Sequence, residues 1–282
     1  MKLDKQAIFD SFNKVATGYQ KSAFFQEEVA SRLLERLELM NVKPKTILDA
    51  GCGTGFCTRL LDKKFSKAKT CGIDIAPAMI KVASKQQKLF SKIDYQVADV
   101  EKLPFESNHF DLVFSNLTAQ WVGDLKTMFS EFNRVLKPKG LLIFSTLGFD
   151  TMTELKQSWQ TVDQEVHVHD FLDMHVIGDL VHTAQFENTV MDRDVVTLTY
   201  KTMKGLMNDL KAVGGHNQAS NRQRGLYGKS KFQNLESAYE KFRWQDGQLP
   251  ATFEVVYGHA WKKMEASEGD YHTYPVKVSL PS

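Results

Sequence analysis

The sequence predicts a doubly wound α/β domain, in which helices cover both faces of a largely parallel β-sheet. Between residues 45 and 150, apolar segments typical of strands alternate with segments of helical spacing. The first strand runs directly into a glycine-rich turn, and polar residues follow the ends of several other strands. Strands and helices that alternate at short spacing favour parallel strands joined by right-handed crossovers.

Five strands are expected in this core. They span residues 46–50, 69–75, 93–98, 110–116 and 141–146. The fourth is an almost continuous apolar run, which is typical of strands buried on both faces of a parallel sheet. Helices are expected at about 56–64, from Pro77, and at about 125–136. Proline is common at the first helical position. An N–H group there would have no acceptor within the helix, so its absence from proline costs no hydrogen bond.

The segments outside the core follow a different pattern. Residues 4–40 show helical spacing of apolar residues, with a break near Thr17-Gly18. The elements expected after residue 151 are helices near 171–185, 202–213 and 235–243 and strands near 194–200 and 252–261. A stretch rich in Gly, Asn and Arg lies between 214 and 231, and a polar tail follows Met264.

Composition and charge exclude several classes of protein. The chain has 282 residues and a net charge of +2, and it lacks an apolar run near the ~20 residues that a membrane-spanning helix needs. The N-terminal segment is charged throughout, unlike a signal peptide. Three cysteines without a C-x-x-C pair argue against a disulfide framework or a zinc site. We therefore expect a cytoplasmic protein, bound neither to membrane nor to nucleic acid.

The glycine-rich turn is the strongest local signal. It reads Leu48-Asp49-Ala50-Gly51-Cys52-Gly53-Thr54-Gly55, at the end of the first strand. Doubly wound folds bind nucleotides at this place, and glycine allows the backbone to turn sharply against a ligand. The spacing is G-x-G-x-G rather than the dinucleotide G-x-G-x-x-G. The turn alone is compatible with NAD, FAD or S-adenosylmethionine.

Polar residues at later strand ends narrow this choice. Asp74 ends the second strand, where a carboxylate can accept from both ribose hydroxyls, and Asp99 follows the third, where it can accept from an adenine amino group. Ser115 and Asn116 end the fourth strand, beside the expected methionine end of the ligand. Because ligands of doubly wound folds collect at this sheet edge, the joint pattern predicts a nucleoside site.

Residues 45–150 resemble the class I S-adenosylmethionine-dependent methyltransferases. The residues that match the cofactor positions of that family are Asp49, Gly51, Gly53, Gly55, Asp74, Ile75, Asp99 and Val100. The resemblance implies a Rossmann-like, seven-stranded sheet that is mostly parallel. It also implies that the last strand, at 252–261, runs antiparallel to its neighbours.

A more specific resemblance covers almost the whole chain. It is carried by Phe12-x-x-x-Ala16-x-x-Tyr19, Gln26, Ser115-Asn116-Leu117-x-x-Gln120-Trp121, Phe171-x-Asp173-Met174-His175-x-Ile177-Gly178-Asp179, Leu206-Met207-x-Asp209-Leu210-Lys211, Gly215-His216-Asn217, Arg224-Gly225-Leu226-x-Gly228 and the segment 249–261. These segments resemble the malonyl-[acyl-carrier protein] O-methyltransferase family of biotin biosynthesis. The sequence departs from the pattern of this family at Gly214-Gly215 and at Gln223, and these departures bear only on individual substrate contacts.

This resemblance implies a function and a division of the chain. The reaction is methyl transfer from S-adenosylmethionine to the free carboxylate of a malonyl thioester, which yields a methyl ester that primes pimelate synthesis. The single domain over 1–264 then consists of an N-terminal helical lid (1–44), a cofactor-binding core (45–150) and a substrate and carrier-protein insert (201–245), before the tail at 265–282. The implied partner is an acyl-carrier protein that carries a malonyl group, with malonyl-CoA as an alternative substrate, and the implied oligomeric state is a monomer.

The chemistry implies a site without a general base. The acceptor carboxylate has a pKa near ~4 and is already ionised at neutral pH. Tyr19 and Trp121 are the candidates for positioning it. His216, Asn217, Arg222 and Arg224 are the candidates for holding the malonyl group or the phosphopantetheine phosphate. Lys201 to Lys231 contains seven lysines and arginines against Asp209 alone, which suggests docking of an acidic carrier.

Other interpretations stay open at this stage. His167-x-His169-Asp170 lacks the spacing of a zinc site, so no metal is expected. The core motifs also fit another small-molecule O- or C-methyltransferase. A nucleic-acid methyltransferase is disfavoured because Ser115-Asn116-Leu117-Thr118 replaces the usual Asn/Asp-Pro-Pro-aromatic loop. A partner subunit that has lost cofactor binding is disfavoured by the intact glycine-rich turn.

Overall fold

The computed structural model describes residues 3–88, 91–215 and 228–264. The strands are β1 (Thr46–Ala50), β2 (Lys69–Asp74), β3 (Asp94–Val97), β4 (Phe110–Asn116), β5 (Leu136–Leu147), β6 (Phe186–Tyr200) and β7 (Leu249–Lys262). The helices are α1 (Lys5–Val15), α2 (Tyr19–Ser22), α3 (Phe24–Leu39), α4 (Phe56–Lys64), α5 (Pro77–Lys85), α6 (Leu125–Val135), α7 (Thr153–Gln160), α8 (Met174–Thr183), α9 (Met203–Ala212) and α10 (Lys229–Tyr239). Short 3₁₀ helices span Ala119–Trp121 and Glu240–Phe242.

The strands form one seven-stranded sheet in the order β3-β2-β1-β4-β5-β7-β6. The pairs from β3 to β5 are parallel, whereas β7 runs antiparallel to both β5 and β6. The predicted fold, including the antiparallel last strand, is confirmed. The strand order reverses between β1 and β4, and such a reversal opens a crevice at the carboxyl ends of the strands.

Two hydrophobic layers cover the sheet. Neighbouring residues of β1 enter opposite layers, because side chains alternate along a strand: Ile47 packs with α3 and α7, and Leu48 packs with α6 and α8. A smaller cluster joins the region around Ala16 to the start of α5. This cluster anchors the N-terminal helices beside the carboxyl end of β2.

Four elements differ from the sequence prediction, and one of them, α10, begins at Lys229 rather than near 235. β5 begins at Leu136 rather than at 141, and it includes Lys139, which has a φ of 63°. β6 spans 15 residues, because pairing with β7 extends through a polar segment that lacks an apolar pattern. Helix α7 was not predicted, since its buried face carries Glu154 and Ser158 beside Leu155 and Trp159. In the described ranges, no helix has the length and apolarity needed to cross a bilayer.

Candidate active site

The glycine-rich turn between β1 and α4 borders a cavity at the reversal of strand order. The N–H groups of Gly51 and Cys52 both donate to the Ile73 carbonyl, at 2.9 and 2.8 Å. Gly51, Gly53 and Gly55 have φ values of 79°, 54° and 78°. Residues with a Cβ adopt this left-handed region only at a cost in free energy.

The three glycines differ in what surrounds the missing side chain. A Cβ on Gly51 would lie 2.1 Å from Thr118 Oγ1, and one on Gly55 would lie 2.4 Å from Tyr95 Oη. A Cβ on Gly53 would meet no atom of the described residues within 4 Å. Packing therefore requires glycine at 51 and 55, whereas Gly53 leaves space for a ligand beside the backbone.

Two buried carboxyl groups flank the turn. Asp49 accepts a 2.6 Å hydrogen bond from the Thr58 hydroxyl, and burial raises its pKa to about 7. Asp74 accepts from the N–H groups of Gly53 at 3.0 Å and Ala76 at 2.8 Å, and burial raises its pKa to about 6. Asp74 also lines the cavity, and each of its oxygens keeps a lone pair for a ligand hydroxyl.

Most of the predicted cofactor and positioning residues line this cavity, hereafter the cofactor cavity. They are Tyr19, Gly51, Gly53, Asp74, Ile75, Asp99, Val100, Asn116 and Trp121. They come from the carboxyl ends of β1, β2 and β4, from the segment after β3 and from the N-terminal helices. The fold thus brings the sequence motifs to one crevice.

Three predicted cofactor residues lie behind the cavity wall instead. Asp49 and Ser115 are 1% and 2% exposed, and their side chains bond to Thr58 and to the Ala50 carbonyl. Gly55 packs against Tyr95. Because side chains alternate along a strand, Ser115 and Asn116 point to opposite faces of β4, and of the two only Asn116 reaches the cavity.

The N-terminal helices close one side of the cofactor cavity. Lys5 forms ion pairs with Asp99 and Glu101. Asn13 Oδ1 accepts from the N–H of Ala78 at 2.9 Å, which fixes α1 to the start of α5. The role of Lys5 was not predicted, because the sequence offers no local signal for a contact with residues almost a hundred positions away.

A second, larger cavity of about 550 Å³ adjoins the first, and we call it the acceptor cavity. Its lining is mainly apolar and aromatic. The residues that line both cavities are Phe12, Tyr19, Gln26, Leu117 and Trp121. The ring centroids of Phe12 lie 5.4 Å from Trp121 and 6.5 Å from Tyr19. This aromatic group, with Gln26 and Leu117, forms the junction between the cavities.

A buried histidine lies in the wall of the acceptor cavity. His169 is 5% exposed, and its ring centroid lies 5.4 Å from Trp121 and 4.6 Å from Phe171. Burial, with the nearby charge of Lys156, lowers the pKa of His169 to about 4. The imidazole is therefore neutral at physiological pH. Its Nε2 has no hydrogen-bond partner among the described residues.

Four predicted substrate residues, His216, Asn217, Arg222 and Arg224, lie outside the described residues. Two described residues, one of them near this segment in sequence, line the acceptor cavity. Lys211 at the end of α9 and the half-exposed Phe24 at the start of α3 both line the acceptor cavity. These exposed lining residues place the mouth of the cavity between α3 and α9, and α9 belongs to the predicted insert.

One group of side chains resembles a metal site in composition. Asp163, Glu165 and His167 bring their donor atoms within 4.8 Å of one another. The ammonium of Lys231 lies 2.6 Å from Asp163 and 3.1 Å from Glu165, so a cation already pairs with both carboxylates of this group. The expectation of no metal stays a prediction.

The cofactor cavity suits a nucleoside that carries a positive charge. Four carboxyl groups line it, those of Glu27, Asp74, Asp99 and Glu101, against the single ammonium of Lys5 among the described residues. A Cβ on Gly53 would meet open space among the described residues, and the Asp74 carboxylate keeps lone pairs that can accept from the hydroxyls of a ligand. These residues fit S-adenosylmethionine.

Comparison with known proteins gives the same assignment. Residues 48–144 match the family described as a methyltransferase domain. A putative methyltransferase from Bacillus halodurans has the same fold, with a TM-score of 0.60 at 18% identity over 83% of this chain and all of that chain. A putative sarcosine dimethylglycine methyltransferase from Galdieria sulphuraria aligns with a TM-score of 0.53 at 18% identity, over 84% of this chain and 86% of that chain.

Curated relatives match over nearly the full length. The malonyl-[acyl-carrier protein] O-methyltransferase of Gallionella capsiferriformans is 47% identical, covering 92% of this chain and 91% of the relative. The enzyme of the same name from Methylovorus is 44% identical over 92% and 90%. That from Legionella pneumophila is 40% identical over 90% of each chain. The chain therefore belongs to the malonyl-[acyl-carrier protein] O-methyltransferase family.

Proposed function

We propose that this chain transfers a methyl group from S-adenosylmethionine to the free carboxylate of a malonyl group carried by an acyl-carrier protein. The observation that carries the proposal is the junction of the two cavities. A carboxylate-lined nucleoside cavity meets a large apolar cavity at a wall of neutral side chains. The names of the 40–47% identical relatives support the acceptor.

The chain's own residues hold the cofactor. The carboxylate of Asp74 would accept from the ribose hydroxyls, and that of Asp99 would accept from the adenine amino group. Gly53 lets the backbone approach the ligand. Asn116 would border the methionine end of the cofactor. Asp49, Gly55 and Ser115 pack behind the residues that line the cavity. When bound, S-adenosylmethionine supplies an electrophilic methyl group on a sulfonium centre.

The acceptor needs positioning rather than activation. A malonyl carboxylate is ionised at neutral pH, so no side chain has to remove a proton. The carboxylate oxygen would bond to the methyl carbon as the bond from that carbon to sulfur breaks, so that S-adenosylhomocysteine would leave as a neutral thioether. Two opposite charges would disappear, and water would stabilise the separated charges more than the transition state. Phe12, Tyr19 and Trp121 exclude water from the junction, and Tyr19 and Trp121 align the acceptor oxygen.

The acyl chain enters through the mouth between α3 and α9. Lys201, Lys204 and Lys211 lie on or beside α9, so an acidic carrier protein meets positive charge at this mouth. His216, Asn217, Arg222 and Arg224 are proposed to hold the malonyl group or the phosphate of the prosthetic arm. The N-terminal helices serve as the lid, and residues 201–245 serve as the carrier insert.

The product fits an early position in biotin synthesis, where methylation masks a charge that chain elongation cannot tolerate. The expected compartment is the cytoplasm, which agrees with three free buried cysteines. A monomer is the expected state. Preference for carrier protein over malonyl-CoA follows from the charge at the mouth.

The proposal is tested by methyl transfer from labelled S-adenosylmethionine. Malonyl-carrier protein, malonyl-CoA and free malonate are compared as acceptors with the same enzyme. The expected result is label on the malonyl carboxylate, released by mild ester hydrolysis, with the carrier-bound acceptor preferred. Enzyme that binds the cofactor but labels none of the three acceptors would contradict the proposal.

A further inference from the structure

The acceptor carboxylate has to reach the junction of the two cavities, since methyl transfer requires its oxygen to approach the donor there. Of the residues that line both cavities, Tyr19, Gln26 and Trp121 carry hydrogen-bonding side chains, and Phe12 and Leu117 carry none. None of these junction residues is cationic. The carboxylate therefore meets only neutral hydrogen-bond donors at this point.

Gln26 differs from the other amides of the site in its bonding. Its Oε1 is enclosed and has no hydrogen-bond partner among the described residues. Its backbone carbonyl accepts from Asn116 Nδ2 at 3.1 Å, which fixes the first turn of α3 against the end of β4. The backbone of Gln26 thus fixes the position of the residue at the junction, while its side-chain oxygen has no partner among the described residues.

The two nearest amides show the contrast. Asn116 Oδ1 accepts from Ser145 Oγ at 2.8 Å, so both ends of Asn116 are bonded. Gln120 Nε2 donates to the Leu117 carbonyl at 2.7 Å, and its Oε1 accepts from Thr146 at 3.2 Å. These two amides maintain the structure. Buried polar groups are normally bonded, so the unsatisfied amide of Gln26 points to a ligand.

The chemistry of the reaction favours an amide at this point. Half a turn about the last side-chain bond presents the –NH₂ of Gln26 in place of its oxygen, and a carboxylate accepts from it. A cation would stabilise the ionised acceptor more than the transition state, in which its negative charge disappears. A neutral donor orients the carboxylate with less of this ground-state stabilisation.

On the basis of the proposed function, we infer that the side-chain amide of Gln26 donates the hydrogen bond that orients the acceptor carboxylate at the junction of the two cavities. Tyr19 and Trp121 flank the same oxygen. Gln26 is then a substrate-contacting residue that orients the acceptor carboxylate beside the donor.

The test compares Gln26→Met and Gln26→Glu in the complete chain, with malonyl-carrier protein as acceptor and turnover expressed per S-adenosylmethionine-binding site. Methionine keeps the length and removes the donor, so kcat falls about tenfold. Glutamate keeps the shape and adds a like charge beside the carboxylate, so kcat falls about a hundredfold or more. Cofactor affinity stays within about twofold of wild type in the methionine variant.

Cofactor affinity separates a substrate contact from a structural role, because loss of a structural amide would disturb the wall of both cavities. A fall in cofactor affinity in parallel with kcat would overturn the inference, as would kcat equal to wild type in both variants. Gln20→Glu, at an exposed position of α2, controls for added charge near the lid. If Gln26→Met fails to fold, Gln26→Asn replaces it and must still exceed Gln26→Glu in kcat. Absence of malonyl methylation by the wild type would instead contradict the proposed function.

Discussion

The two cavities of the active site differ in how the chain builds their walls. The cofactor cavity draws most of its wall from consecutive strand ends and the turns that follow them, within residues 51–122. The acceptor cavity draws its wall from residues between Phe12 and Phe253, including α7, α9 and α10. A local motif can specify the first, whereas only long-range packing can assemble the second. The following predictions test this difference.

The largest effect is expected at the glycine-rich turn. Gly51→Ala places a Cβ 2.1 Å from Thr118 Oγ1 at a φ of 79°, so the turn has to move. Crowding and the left-handed backbone together should lower the free energy of unfolding by about 2–4 kcal/mol. Denaturant unfolding of the wild type and of the Gly51→Ala variant measures this change.

Gly53→Ala is the matched control, because its Cβ meets open space. The alanine variant should lower the free energy of unfolding by only about 1–2 kcal/mol, because of the left-handed backbone at this position. Its affinity for the cofactor, measured by calorimetric titration, should fall. Equal destabilisation by the two variants would contradict the distinction between a packing glycine and a ligand-facing glycine.

The junction between the cavities is tested by Trp121→Ala. Removal of the indole, which contacts Phe12 and His169, should admit water and loosen the acceptor, lowering kcat about a hundredfold. Cofactor affinity should change much less. Steady-state kinetics and equilibrium binding separate the two quantities. A loss confined to cofactor binding would place Trp121 with the cofactor cavity alone.

Asp74→Asn tests the acidic side of the cofactor cavity. Loss of a charge-assisted acceptor should weaken cofactor binding by about 1.5–3 kcal/mol. Because burial raises the pKa of Asp74 to about 6, wild-type affinity should fall as the pH drops from 7 to 5 and the carboxylate takes up a proton. The asparagine variant should show a flatter pH profile. Parallel profiles would argue against contact between Asp74 and the ligand.

His169→Gln tests the acceptor side through stability. The folded pKa of about 4 lies below the ordinary 6.5, so the unfolded chain binds more protons between these values. Wild-type stability is therefore complete above pH 6.5 and falls as the pH drops through this window, by about 1 kcal/mol between pH 6.5 and 5.5. Unfolding midpoints of the variant should depend less on pH. If the unfolding midpoint of the variant depends on pH as strongly as that of the wild type, groups other than His169 cause the loss of stability in acid.

The smallest effect is expected for Lys5→Ala. The ammonium pairs with Asp99 and Glu101, but half of the Lys5 side chain is exposed. Exposed ion pairs contribute about 0–1 kcal/mol, so the melting temperature should hardly change. A larger loss in the free energy of unfolding would show that the packing of the N-terminal helices depends on this contact.

The sequence analysis predicted the cofactor cavity more completely than the acceptor cavity. Alternation of strands and helices indicated the parallel sheet, and Gly53, Asp74 and Asp99 line the cavity as expected. The same reasoning placed Asp49 and Ser115 on the wall, although their side chains lie behind it. Position along the chain does not by itself show which face of a strand borders the ligand.

The sequence by itself determined the doubly wound sheet, the glycine-rich turn and the acids that follow the strands, because these depend on local backbone conformation and on periodicity. Tertiary structure decided the extent of β6, the helix α7 and the acceptor cavity. It also decided that Gln26 reaches the junction with an unsatisfied amide. The physical reason is that burial and hydrogen-bond satisfaction depend on residues far apart in the chain, and these meet only when the helices pack on the sheet.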